Sequence, residues 1–224
     1  DAGAGADAVA YWGAEQSIDG GAGVNTLTLR SAVDVDLANA DQTAADLVAV
    51  SNFQNVNASA LSSGVTISGS AVANAITGGV GDDTIDGAGG ADVVAAGGGD
   101  DHVVLRGTEA SLDGGAGSDT LTVAAGASLT AVDFSVAAGV DQTTGDSVAV
   151  RGFENLDAAA LATAIAVTGS YGANVIATGS GSDVIHGGGG ADVVNSGAGD
   201  DSVDYWGGEV SIDGGAGADT LTLA

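Results

Sequence analysis

The sequence predicts an all-β fold, a right-handed parallel β-solenoid. Three observations carry the prediction. Residues 78–122 read in consecutive nines as GGVGDDTID, GAGGADVVA, AGGGDDHVV, LRGTEASLD and GGAGSDTLT, and four of the five have the form Gly-Gly-x-Gly-x-Asp-x-U-x, where U is a large aliphatic and a small residue can replace a glycine. A glycine-rich half followed by a strand-like half, at a fixed period, marks a repeat that stacks. The aliphatic beat extends beyond this stretch, as Ile67, Ile76, Ile85, Val94, Val103, Leu112 and Leu121, then as Val167, Ile176, Ile185, Val194, Val203, Ile212 and Leu221. Longer stretches also recur: residues 2–28 correspond to 96–122 and to 196–222, and residues 41–61 correspond to 141–161.

The beat fixes the coil. In each nonapeptide six residues turn the chain and three form a strand, so two nonapeptides complete one coil. Stacked coils lie about 4.8 Å apart, the spacing of hydrogen-bonded strands. The U residues point inward as aliphatic ladders. Glycine recurs too often for helix interiors, and Ala158 to Ala164 is the one place open to a helical turn.

The chain divides into a partial glycine block at 1–28 and two repeat units. The first unit, 29–122, joins an interlude (29–68) to a glycine block (69–122), and the second, 123–222, joins an interlude (123–168) to a block (169–222). The whole is expected to be one continuous solenoid. Strand-like alternation at Val48 and Val50, then at Val65 and Ile67, makes the interludes further coils with longer turns. A small cap packed on the solenoid is the alternative. The copies are offset by 94 and then by 100 residues, and the six extra residues are placed around Ala124 to Leu129. Both ends read as cut from something longer.

Composition restricts the partners. Of 224 residues 40 are Gly, and Pro, Cys, Met and Lys are absent; Arg30, Arg106 and Arg151 face 30 acidic residues, for a net charge of −27. The counter-charge must come from outside the chain. Without a basic patch, nucleic acid is excluded as a partner, and no apolar run is long enough for membrane insertion. Bound cations remain. Zero cysteine removes disulfides and thiolate metal sites, and His102 and His186, in non-equivalent places, are read as ordinary polar residues rather than zinc ligands.

The turns suit calcium. Glycine leaves carbonyls unobstructed and permits positive φ, so Gly-Gly-x-Gly-x-Asp can aim carbonyl oxygens and one carboxylate at a point. Calcium takes six to eight such oxygens in a tolerant geometry, where magnesium demands a stricter octahedron. One turn cannot fill that shell, so each of several ions is expected between turns two nonapeptides apart, on the same edge of neighbouring coils. The predicted sites are Asp83 with Asp101, Asp101 with Asp119, Asp183 with Asp201, and Asp201 with Asp219. Weaker sites, where an amide replaces a carboxylate, are Asn74 with Asp92, Asn174 with Asp192, and Asp7 with Asn25. Blocks 11–19, 105–113 and 205–213 carry Gln16, Ala110 and Val210 at the ligand place and are expected to be metal-free. Asp82, Asp100 and Asp200 are read as solvent-facing, and Asp19, Asp86, Asp113, Asp204 and Asp213 as structural turn residues. The pairs Tyr11-Trp12 and Tyr205-Trp206 are read as outward turns, packed on an interlude or touching a neighbouring molecule.

These blocks, with the interlude ending Gly152-Phe153-Glu154-Asn155-Leu156, resemble the RTX, or haemolysin-type, calcium-binding repeat family. The resemblance implies a β-roll from a bacterial protein exported by type I secretion, folded by calcium outside the cell, and located extracellularly at the cell surface. The expected function is a structural repeat module of a surface protein: an adhesin extender, a surface layer or a filament. Its expected partners are calcium ions, other surface components and further copies joined end to end. The alternative is the calcium-folding C-terminal region of a secreted toxin or hydrolase. Catalysis is not expected, because no His-Glu-x-x-His, Gly-x-Ser-x-Gly or functional lysine occurs. An ice-binding face is set aside, because the Thr-Leu-Thr triplets at 26, 120 and 220 are too far apart to form a ladder.

Overall fold

The computed structural model describes residues 1–43 and 46–223. Among them every regular element is a β-strand, and nearly all strand pairs are parallel. The chain forms two compact units, one of residues 1–103 with 108–117 and the other of residues 104–107 with 118–224.

In the first unit one ladder runs through strands Ala8–Tyr11, Thr26–Leu29, Asn55–Asn57, Ala75–Thr77, Val93–Gly98 and Ser111–Ala116. A second joins Val35–Asp36, Thr66–Ser70 and Thr84–Ala88. Strand Ser17–Asp19 pairs separately with Ala49–Ser51. Within the glycine block the register steps by two nonapeptides, as in Ile67 opposite Ile85 and Ile76 opposite Val94. One aliphatic per strand faces inward, and Leu27, Val56, Ile76, Val94 and Leu112 form a fully buried column. Each such side chain contributes about 1.5–3 kcal/mol by leaving water.

The second unit repeats the plan. One ladder contains Thr120–Val123, Asn155–Asp157, Val175–Ala177, Val193–Asn195 and Ser211–Asp213. The other contains Ala131–Asp133, Ala166–Thr168, Val184–His186, Ser202–Tyr205 and Thr220–Leu223. Val132, Val167, Ile185 and Val203 are its buried column.

Both interludes contribute strands to these ladders, with longer register steps: Leu27 lies opposite Val56, and Leu121 opposite Leu156. Each also turns back on itself. Val132 pairs antiparallel with Thr143, and Val35 with Thr43. A buried glutamine closes the excursion. Gln42 accepts the Phe53 N–H at 2.9 Å and donates to Phe53 O at 2.8 Å. Gln142 makes the same two bonds to Phe153, at 3.0 and 2.9 Å.

Three local readings are corrected. The six extra residues do not sit together near Ala124 to Leu129. Val35 follows Leu29 by six places whereas Val132 follows Val123 by nine, and Thr43 follows Val35 by eight whereas Thr143 follows Val132 by eleven. Half of the insertion precedes the excursion strand and half lies in its hairpin. Ala158–Leu161 is a single turn closed by Leu161 N–H on Ala158 O, not a helical turn. Tyr11 packs on the interlude, as one of the two readings expected, but it is not an outward turn residue: it ends a strand, is buried, and donates its hydroxyl to Asp46 at 2.8 Å. Trp12 and Trp206 do face outward.

Candidate metal-binding turns

The turn geometry starts with glycine. At the first place of a block there is no room for a side chain: a Cβ on Gly78 would stand 2.0 Å from the carbonyl oxygen of Ala96, one coil on. At the fourth place many turns also adopt positive φ, as at Gly90, Gly99 and Gly199. Gly217 has φ 148°, and its Cβ would fall 1.6 Å from Gly199 O. Glycine is therefore required because successive turns bring their carbonyls against one another's backbone.

The sixth-place side chain turns inward. Asp83, Asp92, Asp101, Asp119, Asp183, Asp192 and Asp201 are buried, as are Asn25, Asn74 and Asn174, while Asp7 is half-buried and Asp219 exposed. A single hydrogen-bonding rule links them. An Oδ1 accepts the backbone N–H of the equivalent residue one coil back. Asp101 accepts from Asp83 at 2.7 Å, Asp201 from Asp183 at 2.8 Å, and Asp219 from Asp201 at 3.1 Å. Asp92 accepts from Asn74 at 2.7 Å, Asp192 from Asn174 at 2.8 Å, and Asn25 from Asp7 at 3.0 Å. Asp83 and Asp183, where each ladder leaves an interlude, take the N–H groups of Val65 and Ile165, both at 2.9 Å. Six of the seven predicted pairs are thus joined within their units. Asp119 belongs to the second unit, where its N–H donates to Glu154 at 2.9 Å.

The second oxygen separates the turns. Oδ2 of Asp7, Asp92, Asp183, Asp192 and Asp201 is buried without a hydrogen-bond partner. Asp83 differs, because its Oδ2 accepts Gly79 N–H at 2.7 Å. The asparagines are satisfied on both atoms. Asn74 and Asn174 accept Ser70 and Ser170 N–H, and their amides donate to Gln54 O and Glu154 O of the interludes. Asn25 donates to Asn52 O. At all three asparagines the amide N–H₂ meets a carbonyl of an interlude residue, a contact that a carboxylate could not make.

Burial pushes the carboxyl pKa values of Asp83, Asp92, Asp183 and Asp192 above the usual range, although the backbone N–H groups they accept work against the shift. Among the described residues no three His, Cys, Asp or Glu side chains gather into a metal cluster. Any ion held here would take one carboxylate oxygen per turn and find its remaining ligands among turn carbonyls. Such an all-oxygen, mostly neutral donor set suits calcium. An anionic oxygen buried without a partner is the feature a cation would resolve.

The three blocks with neither aspartate nor asparagine at the sixth place are closed by a glutamate that sequence reading passed over. Glu209 accepts the N–H groups of Trp206, Gly207 and Gly208 at 2.7, 2.9 and 2.9 Å. Glu15 accepts those of Trp12 and Ala14, each at 3.0 Å, and Glu109 that of Thr108 at 3.0 Å. Partial desolvation opposes ionisation of Glu15 and Glu209, but the converging N–H groups outweigh it and hold both below the usual range. The visible signal was Glu at the fifth place of all three blocks.

The other acidic places are structural. Asp82 and Asp200 are exposed, and each accepts an N–H from the next coil, from Asp100 and Ala218, both at 2.9 Å. Asp19, Asp86 and Asp213 accept the N–H two residues ahead, and at Asp19 and Asp213 this Asx turn ends a strand. His186 Nδ1 pairs with Asp204 on the adjacent strand.

Parallel coils with inward carboxylates on glycine turns define a calcium-type β-solenoid. The model of the RTX calcium-binding nonapeptide repeat matches residues 68–103, 111–128, 168–203 and 207–223. This chain therefore carries four copies of the RTX repeat, a calcium-binding module of secreted proteins, over close to half its length, and its fold is the corresponding β-roll. A search of the curated proteins finds no match.

Proposed function

We propose that the chain is a structural, calcium-stabilised module of a bacterial cell-surface protein, an adhesin extender, surface layer or filament, that folds on binding calcium outside the cell. The observation that carries this reading is the set of buried aspartates Asp92, Asp183, Asp192 and Asp201, each with one oxygen committed to the preceding coil and the other left over. Without a cation these charges oppose stacking. With one, binding free energy becomes folding free energy. Extracellular calcium modules bind in the range of about 10⁻⁴–10⁻³ M, which keeps the chain unfolded in a calcium-poor cytosol. The recurring interludes, each adding strands rather than ending the ladder, support an extender over a terminal tail. We read the module as non-enzymatic, since the carboxylates are engaged in turns. Circular dichroism during a calcium titration at pH 7 tests the proposal: at that pH a β-rich spectrum is expected only with calcium, and a full β-signal in excess chelator at pH 7 would refute it.

A further inference from the structure

Four of the eight aromatic residues are buried (Tyr11, Phe53, Phe134 and Phe153), and of the four that are exposed, two line one groove in the second unit. Tyr171 is 94% exposed and Trp206 62%. The groove between them holds about 390 Å³ and is open to solvent, with Gly188 and Gly189 among its lining residues together with the hydroxyl residues Ser135 and Thr168. Coil geometry builds it. Tyr171 sits on one turn, Gly189 on the equivalent turn of the next coil, and Gly207, beside Trp206, on that of the coil after. A Cβ on Gly189 would meet the Tyr171 ring at 3.3 Å, so the ring lies over a bare glycine turn. Two coil steps separate the aromatic turns by roughly 10 Å, with the Gly189 turn between them.

We propose that this groove is a binding site for a neutral saccharide, with one pyranose ring held against Tyr171 and Trp206. The volume falls within the range of about 300–1,000 Å³ typical of small-molecule sites. Flat aromatic faces match the C–H face of a pyranose, and the hydroxyls and turn backbone match its polar rim. Among the described residues no charged side chain lines the groove, and the net charge of −27 repels acidic sugars and nucleic acid. The preceding repeat has Ala71 and Arg106 at the equivalent places, so both aromatic residues are absent there together. The open groove admits an internal unit of a longer chain as well as its end.

The test uses the calcium-loaded full chain with neutral gluco-, manno- and galacto-oligosaccharides. A Trp12→Phe background leaves Trp206 as the single tryptophan, excited selectively over the three tyrosines. Saturable change in its emission with at least one sugar is expected. Tyr171→Ala should weaken that affinity by about tenfold or more, and Trp206→Ala should do the same by calorimetry, with calcium titration and circular dichroism unchanged in both. The proposal is overturned by no saturable response to any sugar at millimolar concentration, by binding that survives Tyr171→Ala, or by tighter binding of tetramethylammonium or a proline-rich peptide than of every sugar. None of these outcomes touches the calcium titration, so the two readings fail separately.

Discussion

Asp183 shows how one side chain performs two tasks. Its Oδ1 holds the Ile165 N–H of the coil below at 2.9 Å, and its Oδ2 is buried without a partner. The tasks can be separated by substitution. Asp183→Asn keeps an acceptor for Ile165 and removes the charge, so the ladder should persist while calcium affinity at that turn falls by tenfold or more, about 1.4 kcal/mol. Asp183→Ala also strands the Ile165 N–H and should cost a further ~1–3 kcal/mol of the calcium-loaded stability. Calorimetric calcium titration and denaturant unfolding of both variants read the two terms. Tyr11 and Asp46 offer a parallel case. The hydroxyl meets the carboxylate at 2.8 Å, and burial first, then the bond to Asp46, pushes the phenol pKa up to about 12. The second repeat has Leu105 at the place of Tyr11, and there the Asp146 Oδ2 is buried without a partner. Tyr11→Phe should lower stability by about 1–2 kcal/mol, whereas Leu105→Tyr should raise it by supplying the missing donor. A cost of the same size for both substitutions, measured by denaturant unfolding, would reject this account.

Among the elements, the interlude depends most on a side chain. The strand that returns from its hairpin is short, Thr143–Thr144 in the second unit, and pairing that brief cannot hold itself. Gln142 supplies the closure by bonding both backbone groups of Phe153 from inside the core. Gln142→Ala should leave a buried N–H and C=O unpaired, costing about 1–3 kcal/mol each, and should bring amide exchange of residues 131–153 forward relative to the glycine block. Uniform protection across both regions in that variant would argue against the clasp. The same elements show what the sequence reveals. The strand register of the glycine blocks was legible because a coil of two nonapeptides puts Ile67 over Ile85 and Val167 over Ile185 without reference to anything distant. The aspartates of the turns were legible for the same reason. The recurrence of Gln42 and Phe53 at 142 and 153 was visible, but their bond runs from side chain to backbone across the whole excursion, and no periodicity encodes it. The insertion was misplaced because length alone cannot show that a hairpin absorbs half of it. The glutamate turns were missed because attention went to the absent sixth-place aspartate, whereas the closing carboxylate stands one place earlier.

On the scale of the molecule the controlling quantity is charge, −27 with three arginines, and its consequence is a pH response whose sign depends on calcium. Burial raises the carboxyl pKa of Asp83, Asp92, Asp183 and Asp192 in the folded chain. In the unfolded chain these groups titrate near the ordinary aspartate value, about 3.9. Between those limits the folded state binds more protons than the unfolded one, so stability falls as pH rises. The calcium-free fold is thus favoured below the ordinary value, loses that stability as pH climbs through the raised folded values, and stays weakened at neutral pH. Release of self-repulsion by the other carboxylates acts in the same direction. Calcium inverts the slope, because it binds the ionised carboxylate and competes with protons for it. In excess chelator, acidification from pH 7 to about 4 should therefore increase the β-signal in circular dichroism. With millimolar calcium the same acidification should release ions and lower the melting temperature. The two series converge at the acid end, where the carboxylates are protonated and calcium has nothing to hold. A chelated chain that loses β-structure on acidification would show that the buried aspartates are not what keeps it unfolded at neutral pH.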